Sequence, residues 1–158
     1  MNSDPLISIG IISFNNENYI GACIESCLSQ TYKNIEIIIA DDASTDNSMQ
    51  IIKEYALLYP SKITFISSQE NYGIAINFNN AVKASKGEWF KPIAWDDVLF
   101  EDCVENYRKE VFKQNFKLNN LTKSGGFNNF YNTIRFSYLP DGHHFNKTDL
   151  SNAKYDNY

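Results

Sequence analysis

Residues 35–42 read IEIIIADD, and residues 87–97 read GEWFKPIAWDD. Each stretch is an apolar run with the character of a β-strand, and each ends in two adjacent aspartates. Ligands of open α/β sheets bind outside the carboxyl ends of the strands, and carboxylate oxygens are ligands that Mg²⁺ and Mn²⁺ prefer. The two pairs together therefore predict one ligand site at the edge of a sheet. Either pair alone would equally fit a helix cap or a turn, because aspartate favours both.

The rest of the first 114 residues alternates between strand and helix patterns. Apolar runs at residues 6–14 and 63–66 predict two further strands. Apolar residues recur at spacings of three and four after each strand, which predicts four amphipathic helices. We expect Ser44 or Thr45 to be the N-cap of the second helix. The order β-α-β-α-β-α-β-α implies an α/β fold with a mostly parallel sheet and right-handed crossovers.

Composition narrows the class of protein. The net charge of -5 argues against a general nucleic-acid binder, which needs a basic face. The sequence has no run of about 18 apolar residues, and residues 1–5 lack the basic start of a signal peptide. We therefore expect a cytoplasmic protein. The three cysteines should be reduced, and Cys23 and Cys27 are expected to be buried thiols rather than metal ligands.

Past Gln114 the sequence changes character. Residues 115–158 are rich in Asn, Lys, Tyr and Phe and show weak periodicity, although residues 132–139 could form a strand or a short helix. We therefore divide the chain into residues 1–114 and residues 115–158.

Three blocks within residues 5–112 resemble the family 2 glycosyltransferases, which have the GT-A fold. The first is IGIISFNNENYI at residues 9–20 followed by SCLSQTY at residues 26–32, and the second is IEIIIADDASTD at residues 35–46. The third runs from NYG at residues 71–73 through Asn79 and Gly87-Glu88 to Asp96-Asp97. One block alone is a weak signal, whereas three in order at the family's spacing are a strong one. The resemblance implies that residues 1–114 form a GT-A core that binds a nucleotide-sugar donor, and that residues 115–158 are part of an acceptor segment.

The resemblance implies nucleotide-binding roles for residues of the first two blocks. Asp42 matches the acid that accepts the ring N–H of the base, usually uracil. Ser13 and Phe14 match the pair that lines the base, Phe14 by stacking on it. Asn15 and Glu17 follow in the same block and are assigned to the nucleotide site with them.

The third block carries the residues expected to bind the metal. Asp97 matches the carboxylate that binds Mn²⁺ or Mg²⁺, and Asp96 matches its neighbour near the diphosphate and the sugar. Two positions depart from the family pattern: Ala94 stands where many relatives have a further acid, and Phe78 where many have an arginine that meets the diphosphate. Lys91 could replace that charge, although a solvated surface lysine is the interpretation we favour.

The family's chemistry sets the expected reaction. An acceptor hydroxyl, deprotonated by a carboxylate, attacks the anomeric carbon opposite the departing diphosphate and inverts it. Relatives place this base in a Glu-Asp pair after the acceptor segment, so we expect it beyond Tyr158 and assign it to neither Asp149 nor Asp156.

The expected function is transfer of a sugar, with UDP-sugar as the expected donor, to a saccharide or lipid-linked acceptor in bacterial surface polysaccharide assembly. The alternative is a truncated, non-catalytic module that binds donor and metal but lacks the base. A lipid-linked acceptor would bring the protein to the inner face of the membrane, although no basic amphipathic helix indicates this. The sequence does not indicate an oligomeric state.

Overall fold

The structure is a computed structural model that describes residues 4–113. Predictions for residues 115–158, including a strand or helix at residues 132–139 and the acceptor segment, lie outside the described residues. Within residues 4–113 strands and helices alternate in the predicted order. They are β1 (Ile7–Ser13), α1 (Ile20–Leu28), β2 (Ile35–Asp41), α2 (Ser48–Leu58), β3 (Ile63–Ser67), α3 (Ile74–Ala84), β4 (Trp89–Ala94) and α4 (Cys103–Lys113).

The strands of the described part form one parallel sheet in the order β3-β2-β1-β4. β1 pairs with β2 as far as Ser13 opposite Asp41, and with β4 as far as Ile12 opposite Ala94. All the strands run in the same direction, so their carboxyl ends lie at one edge of the sheet. Both aspartate pairs therefore follow strands that end at the same edge, on either side of β1.

Helices cover both faces of the sheet. Side chains alternate between the faces along a strand, and Ile9 and Ile11 of β1 are fully buried in a cluster shared with α1, α2 and α4. On the other face Gly10 lies against the ring of Phe90, which packs edge-on against Phe78 of α3 with ring centroids 5.8 Å apart. Burying an isoleucine side chain contributes about 1.5–3 kcal/mol, so this isoleucine-rich core is a principal source of stability.

The helices lie where the sequence predicts them, although their apolar pattern is not buried throughout, since Ile74 of α3 is 69% exposed. The buried face of α1 comprises Ile20, Cys23, Ile24, Ser26 and Cys27. The predicted N-cap of α2 is wrong, because α2 begins at Ser48 after Asn47 and has no side-chain cap bond. No helix in the described part of the chain is long and apolar enough to cross a membrane.

Candidate functional site

A cavity of about 190 Å³ lies at the carboxyl edge of the sheet. Strand ends, the loop after β3 and the start of α3 supply its lining, which is Ile12, Ser13, Phe14, Asp42, Asn71, Gly73, Ile74, Asn77 and Trp95. Three residues predicted for the nucleotide site, Ser13, Phe14 and Asp42, are thus brought together. Apolar and aromatic walls with a few polar groups are typical of a small-molecule site.

The carboxylate of Asp42 is held by the loop after β3. Its Oδ1 accepts a hydrogen bond from the backbone N–H of Tyr72 at 3.0 Å, and its Oδ2 accepts one from the N–H of Gly73 at 2.7 Å. Gly73 has a φ of 87°, a backbone conformation that favours glycine. A carboxylate offers about four acceptor positions, so Asp42 keeps acceptor capacity for a ligand in the cavity.

Asp41 has a different role from its neighbour. It is fully buried, and its Oδ1 lies 3.1 Å from the Ser13 hydroxyl and 2.6 Å from the Ser44 hydroxyl. The backbone N–H of Ser44 donates to its Oδ2 at 2.8 Å. Ser44, predicted as a helix cap, therefore stabilises the end of β2 instead. Asp41 is a structural acid, and Asp42 is the member of the pair that faces the cavity.

Asn15 and Glu17 join the loop after β1 to the loop after β2. Asn15, which has a left-handed backbone with φ 48°, accepts from the Thr45 N–H at 2.8 Å through Oδ1. Glu17 Oε2 accepts from the Asn47 N–H at 2.8 Å, and the Glu17 N–H donates to Asp46 Oδ2 at 3.0 Å. Neither side chain lines the cavity. Their assignment to the nucleotide site stays a prediction, and the structure gives both a loop-ordering role.

Asn77 is a site residue that the sequence did not indicate. It lies on α3, is 2% exposed, and its Nδ2 donates to the carbonyl oxygen of Ala40 at 2.8 Å and to that of Ser13 at 3.3 Å. It therefore ties the start of α3 to the ends of β1 and β2. Its only sequence signal is an asparagine between Ile74 and Phe78, on the face predicted to be apolar.

Asn16 carries an unpaired buried donor. Its Oδ1 lies 3.1 Å from the hydroxyls of Ser13 and Ser48, while its Nδ2 has no partner among the described residues. A buried donor left without a partner costs about 1–3 kcal/mol. The unpaired amide lies next to Ser13 of the cavity lining.

The Asp96-Asp97 pair lies on an exposed turn directly after the cavity lining. The Asp97 N–H donates to the carbonyl oxygen of Ala94 at 3.1 Å, and the intervening Trp95 lines the cavity. The described residues contain no group of three or more acidic, His or Cys side chains placed to hold a metal. Two adjacent exposed carboxylates still fit a hard cation that takes its remaining ligands from water and a diphosphate.

Phe78 is one of the two departures from the family pattern, and Lys91 was considered as a replacement for the charge missing there. Phe78 is 8% exposed and packs against Phe90. Lys91 lies part-way along β4, and its Nζ is 5.5 Å from the centroid of the Tyr107 ring. Neither side chain lines the cavity.

The family model for glycosyl transferase family 2 matches residues 8–154. The chain belongs to this family. The chondroitin synthase of Escherichia coli is 38% identical over 111 residues, which are 68% of this chain and 16% of that protein.

Solved structures share the fold of this family member. S. aureus TarS 1-349 in complex with UDP matches with a TM-score of 0.62 and 22% identity, over 69% of this chain and 32% of that one. The mannosyltransferase PcManGT from Pyrobaculum calidifontis, in complex with GDP-Man and Mn²⁺, matches with a TM-score of 0.57 and 22% identity, over 61% and 29%. These matches confirm the GT-A fold. The chain spans 16%, 32% and 29% of the three proteins' lengths, and the roles of its individual residues stay predictions.

Proposed function

We propose that this family 2 chain carries the donor site of an enzyme that transfers a sugar from a nucleoside diphosphate donor, UDP-sugar by preference. One observation carries the proposal: Ser13, Phe14 and Asp42 line a single cavity, and Trp95 of that cavity is followed directly by Asp96 and Asp97. This arrangement supports the proposal, because groups suited to a base would lie beside groups suited to a diphosphate.

In the proposed complex the base enters the cavity. Asp42, oriented by the N–H groups of Tyr72 and Gly73, accepts the ring N–H of the base. A carboxylate in this position favours uracil over cytosine, whose N3 is itself an acceptor. Phe14 stacks on the base, since aromatic rings pack well in offset arrangements. TarS, which has the same fold, was crystallised with UDP, and this supports the choice of base.

The Asp96-Asp97 turn would hold the metal, with Asp97 as ligand and Asp96 beside the diphosphate and sugar. When bound, Mn²⁺ or Mg²⁺ neutralises the charge that develops on the departing diphosphate. The Mn²⁺ complex of PcManGT supports a divalent ion. With Ala94 where relatives have an acid, we expect the protein to supply fewer ligands and the ion to bind more weakly.

The wider setting is part of the proposal. A saccharide or lipid-linked acceptor, attack with inversion, and a role in bacterial surface polysaccharide synthesis fit a relative named chondroitin synthase. We propose residues 1–114 as the donor core and residues 115–158 as part of the acceptor side. The free thiols of Cys23, Cys27 and Cys103 support a reducing, cytoplasmic location. A non-catalytic donor-binding module stays the alternative.

Calorimetry with UDP, with and without Mn²⁺, tests the donor site. Asp97→Ala should remove most of the affinity gained from Mn²⁺, about ten-fold or more, because a charged ligand is lost. Asp42→Asn should weaken UDP about ten-fold in both conditions. Glu88→Ala is the matched control, an exposed acid at the opposite end of β4, and should change neither value.

If Mn²⁺ raises the UDP affinity of Asp97→Ala as much as it raises that of the wild type, the metal assignment is wrong. Release of UDP from a UDP-sugar in the presence of an acceptor separates the enzyme from the binding module, which would hold the donor without consuming it.

A further inference from the structure

The exposed turn with Asp96 and Asp97 is tied to helix α1 on both sides. Before the turn, the Cys23 thiol donates to the carbonyl oxygen of Ala94 at 3.6 Å. After the turn, the backbone N–H of Leu99 donates to the Ser26 hydroxyl oxygen at 3.1 Å. Both side chains belong to the buried face of α1, although the turn itself is exposed.

The Ser26 hydroxyl is oriented to serve as this acceptor. It donates its own proton to the carbonyl oxygen of Cys23 at 2.7 Å, one turn back in the helix. Ser26 is 7% exposed, so water has little access to compete for its oxygen. The hydroxyl therefore links the position of the Leu99 N–H to the backbone of α1.

Gln30 extends the same connection. Its Nε2 donates to the carbonyl oxygen of Phe100 at 2.9 Å and its Oε1 accepts from the Val104 N–H at 2.9 Å, while the side chain is fully buried. The Thr31 N–H also donates to the carbonyl oxygen of Glu101 at 2.8 Å. The chain after the acidic turn is thus fastened to the end of α1 as far as the start of α4.

We propose that Ser26 and Cys23 are positioning residues that hold the Asp96-Asp97 turn in the conformation that binds the metal and diphosphate. This rests on the proposed function. The described residues offer no group of three or more acidic, His or Cys side chains placed to hold a metal, so the alignment of these two carboxylates depends on the backbone that carries them. A turn ordered in advance does not lose that conformational freedom when the ligand binds.

The test separates positioning from general stability. Ser26→Ala should lower the affinity gain that Mn²⁺ gives to UDP by about five-fold, the worth of one hydrogen bond, and leave Mn²⁺-free UDP binding within about two-fold. Hydrogen exchange at the Leu99 amide should become faster. Ser29→Ala is the matched control, because the Ser29 hydroxyl also makes an in-helix bond, to the Ser26 carbonyl at 3.0 Å, and should change neither quantity.

A Ser26→Ala protein with a lower melting temperature but an unchanged Mn²⁺-dependent gain would overturn the proposal, since the bond would then be structural only. If Ser26→Ala does not fold, Cys23→Ala is tested in the same way, because it removes the hydrogen bond to Ala94 on the other side of the turn. A wild-type chain whose UDP affinity ignores Mn²⁺ would overturn the proposed function instead. Leu99 exchange would then still decide whether Ser26 orders the turn.

Discussion

Gly10 is the residue on which the packing of α3 depends most directly. A Cβ at this position would lie 2.0 Å from Cζ of Phe90, a distance that real side chains do not tolerate. Phe90 has little room to move, because it is 1% exposed and packs against Phe78 of α3.

We expect Gly10→Ala to reduce the free energy of unfolding by about 1–3 kcal/mol, the usual effect of overpacking a core. Urea unfolding measures the loss. Gly21→Ala is the control on α1, where an added Cβ would meet Tyr55 Oη at an ordinary 3.8 Å, and it should be neutral or stabilise by up to about 1 kcal/mol. Equal effects of the two substitutions would contradict this account.

At the scale of single residues the sequence predicted where the aspartates lie in the sheet better than what each one contacts. Adjacent acids at strand ends were enough to place Asp42 at the sheet edge. The burial of Asp41 depends on the hydroxyls of Ser13 and Ser44. Ser13 is distant from Asp41 in sequence, and Ser44 was predicted as a helix cap. Ile74 belongs to the apolar pattern that predicts α3, yet it is 69% exposed and lines the cavity.

At the scale of elements, apolar runs predicted every strand of residues 4–113 and apolar spacing predicted every helix, because burial sets both patterns. The loops were not predictable in this way. Asn15 and Glu17 bond to a loop some 30 residues later, and such contacts depend on two strands lying side by side. The local signal that did exist, a serine and a threonine before α2, suggested a helix cap and was misleading.

Asp46 makes the connection between these two loops sensitive to acid. Burial alone would raise the pKa of Asp46, but hydrogen bonds from Ser48 and from the Glu17 N–H outweigh it and hold the pKa below its usual value. The unfolded chain therefore takes up a proton at higher pH than the folded one. The stability that Asp46 contributes is complete above the unfolded pKa of about 4 and is lost as the pH falls through the lower folded value.

Asp46→Asn should accordingly be less stable than the wild type near neutral pH and should lose less stability on acidification below about pH 4. Urea midpoints measured across this range give the comparison. Glu70→Gln, an exposed acid in the loop after β3, should reproduce the wild-type pH profile. Parallel profiles for Asp46→Asn and the wild type would refute the role of Asp46.

At the scale of the whole molecule, β1 lies between β2 and β4 in the sheet, so the segments that line the cavity come together at its carboxyl end. Ser13 bonds to groups from β2 and α3, and the cavity lining includes the residues that directly follow β1, β2 and β4, which are Phe14, Asp42 and Trp95. A site assembled from so many segments is present only when the sheet is intact. Loss of the proposed donor site and unfolding of the core should therefore coincide.

The three cysteines can report whether the described part of the chain opens as one unit. The neighbouring Cys27 thiol and burial raise the pKa of the Cys23 thiol, and the charges of Asp97 and Asp96 add to the effect, so little reactive thiolate forms there. Cys27 is fully buried and Cys103 is half-buried.

We expect a thiol reagent at mildly alkaline pH to modify Cys103 first. It should modify Cys23 and Cys27 only at the rate of global unfolding, which is measured separately by fluorescence. Cys103→Ser should remove the fast phase alone. Rapid modification of Cys23 and Cys27 without denaturant would mean instead that α1 separates from the sheet while β1, β2 and β4 stay paired, and the acidic turn would then lose its support in the native state.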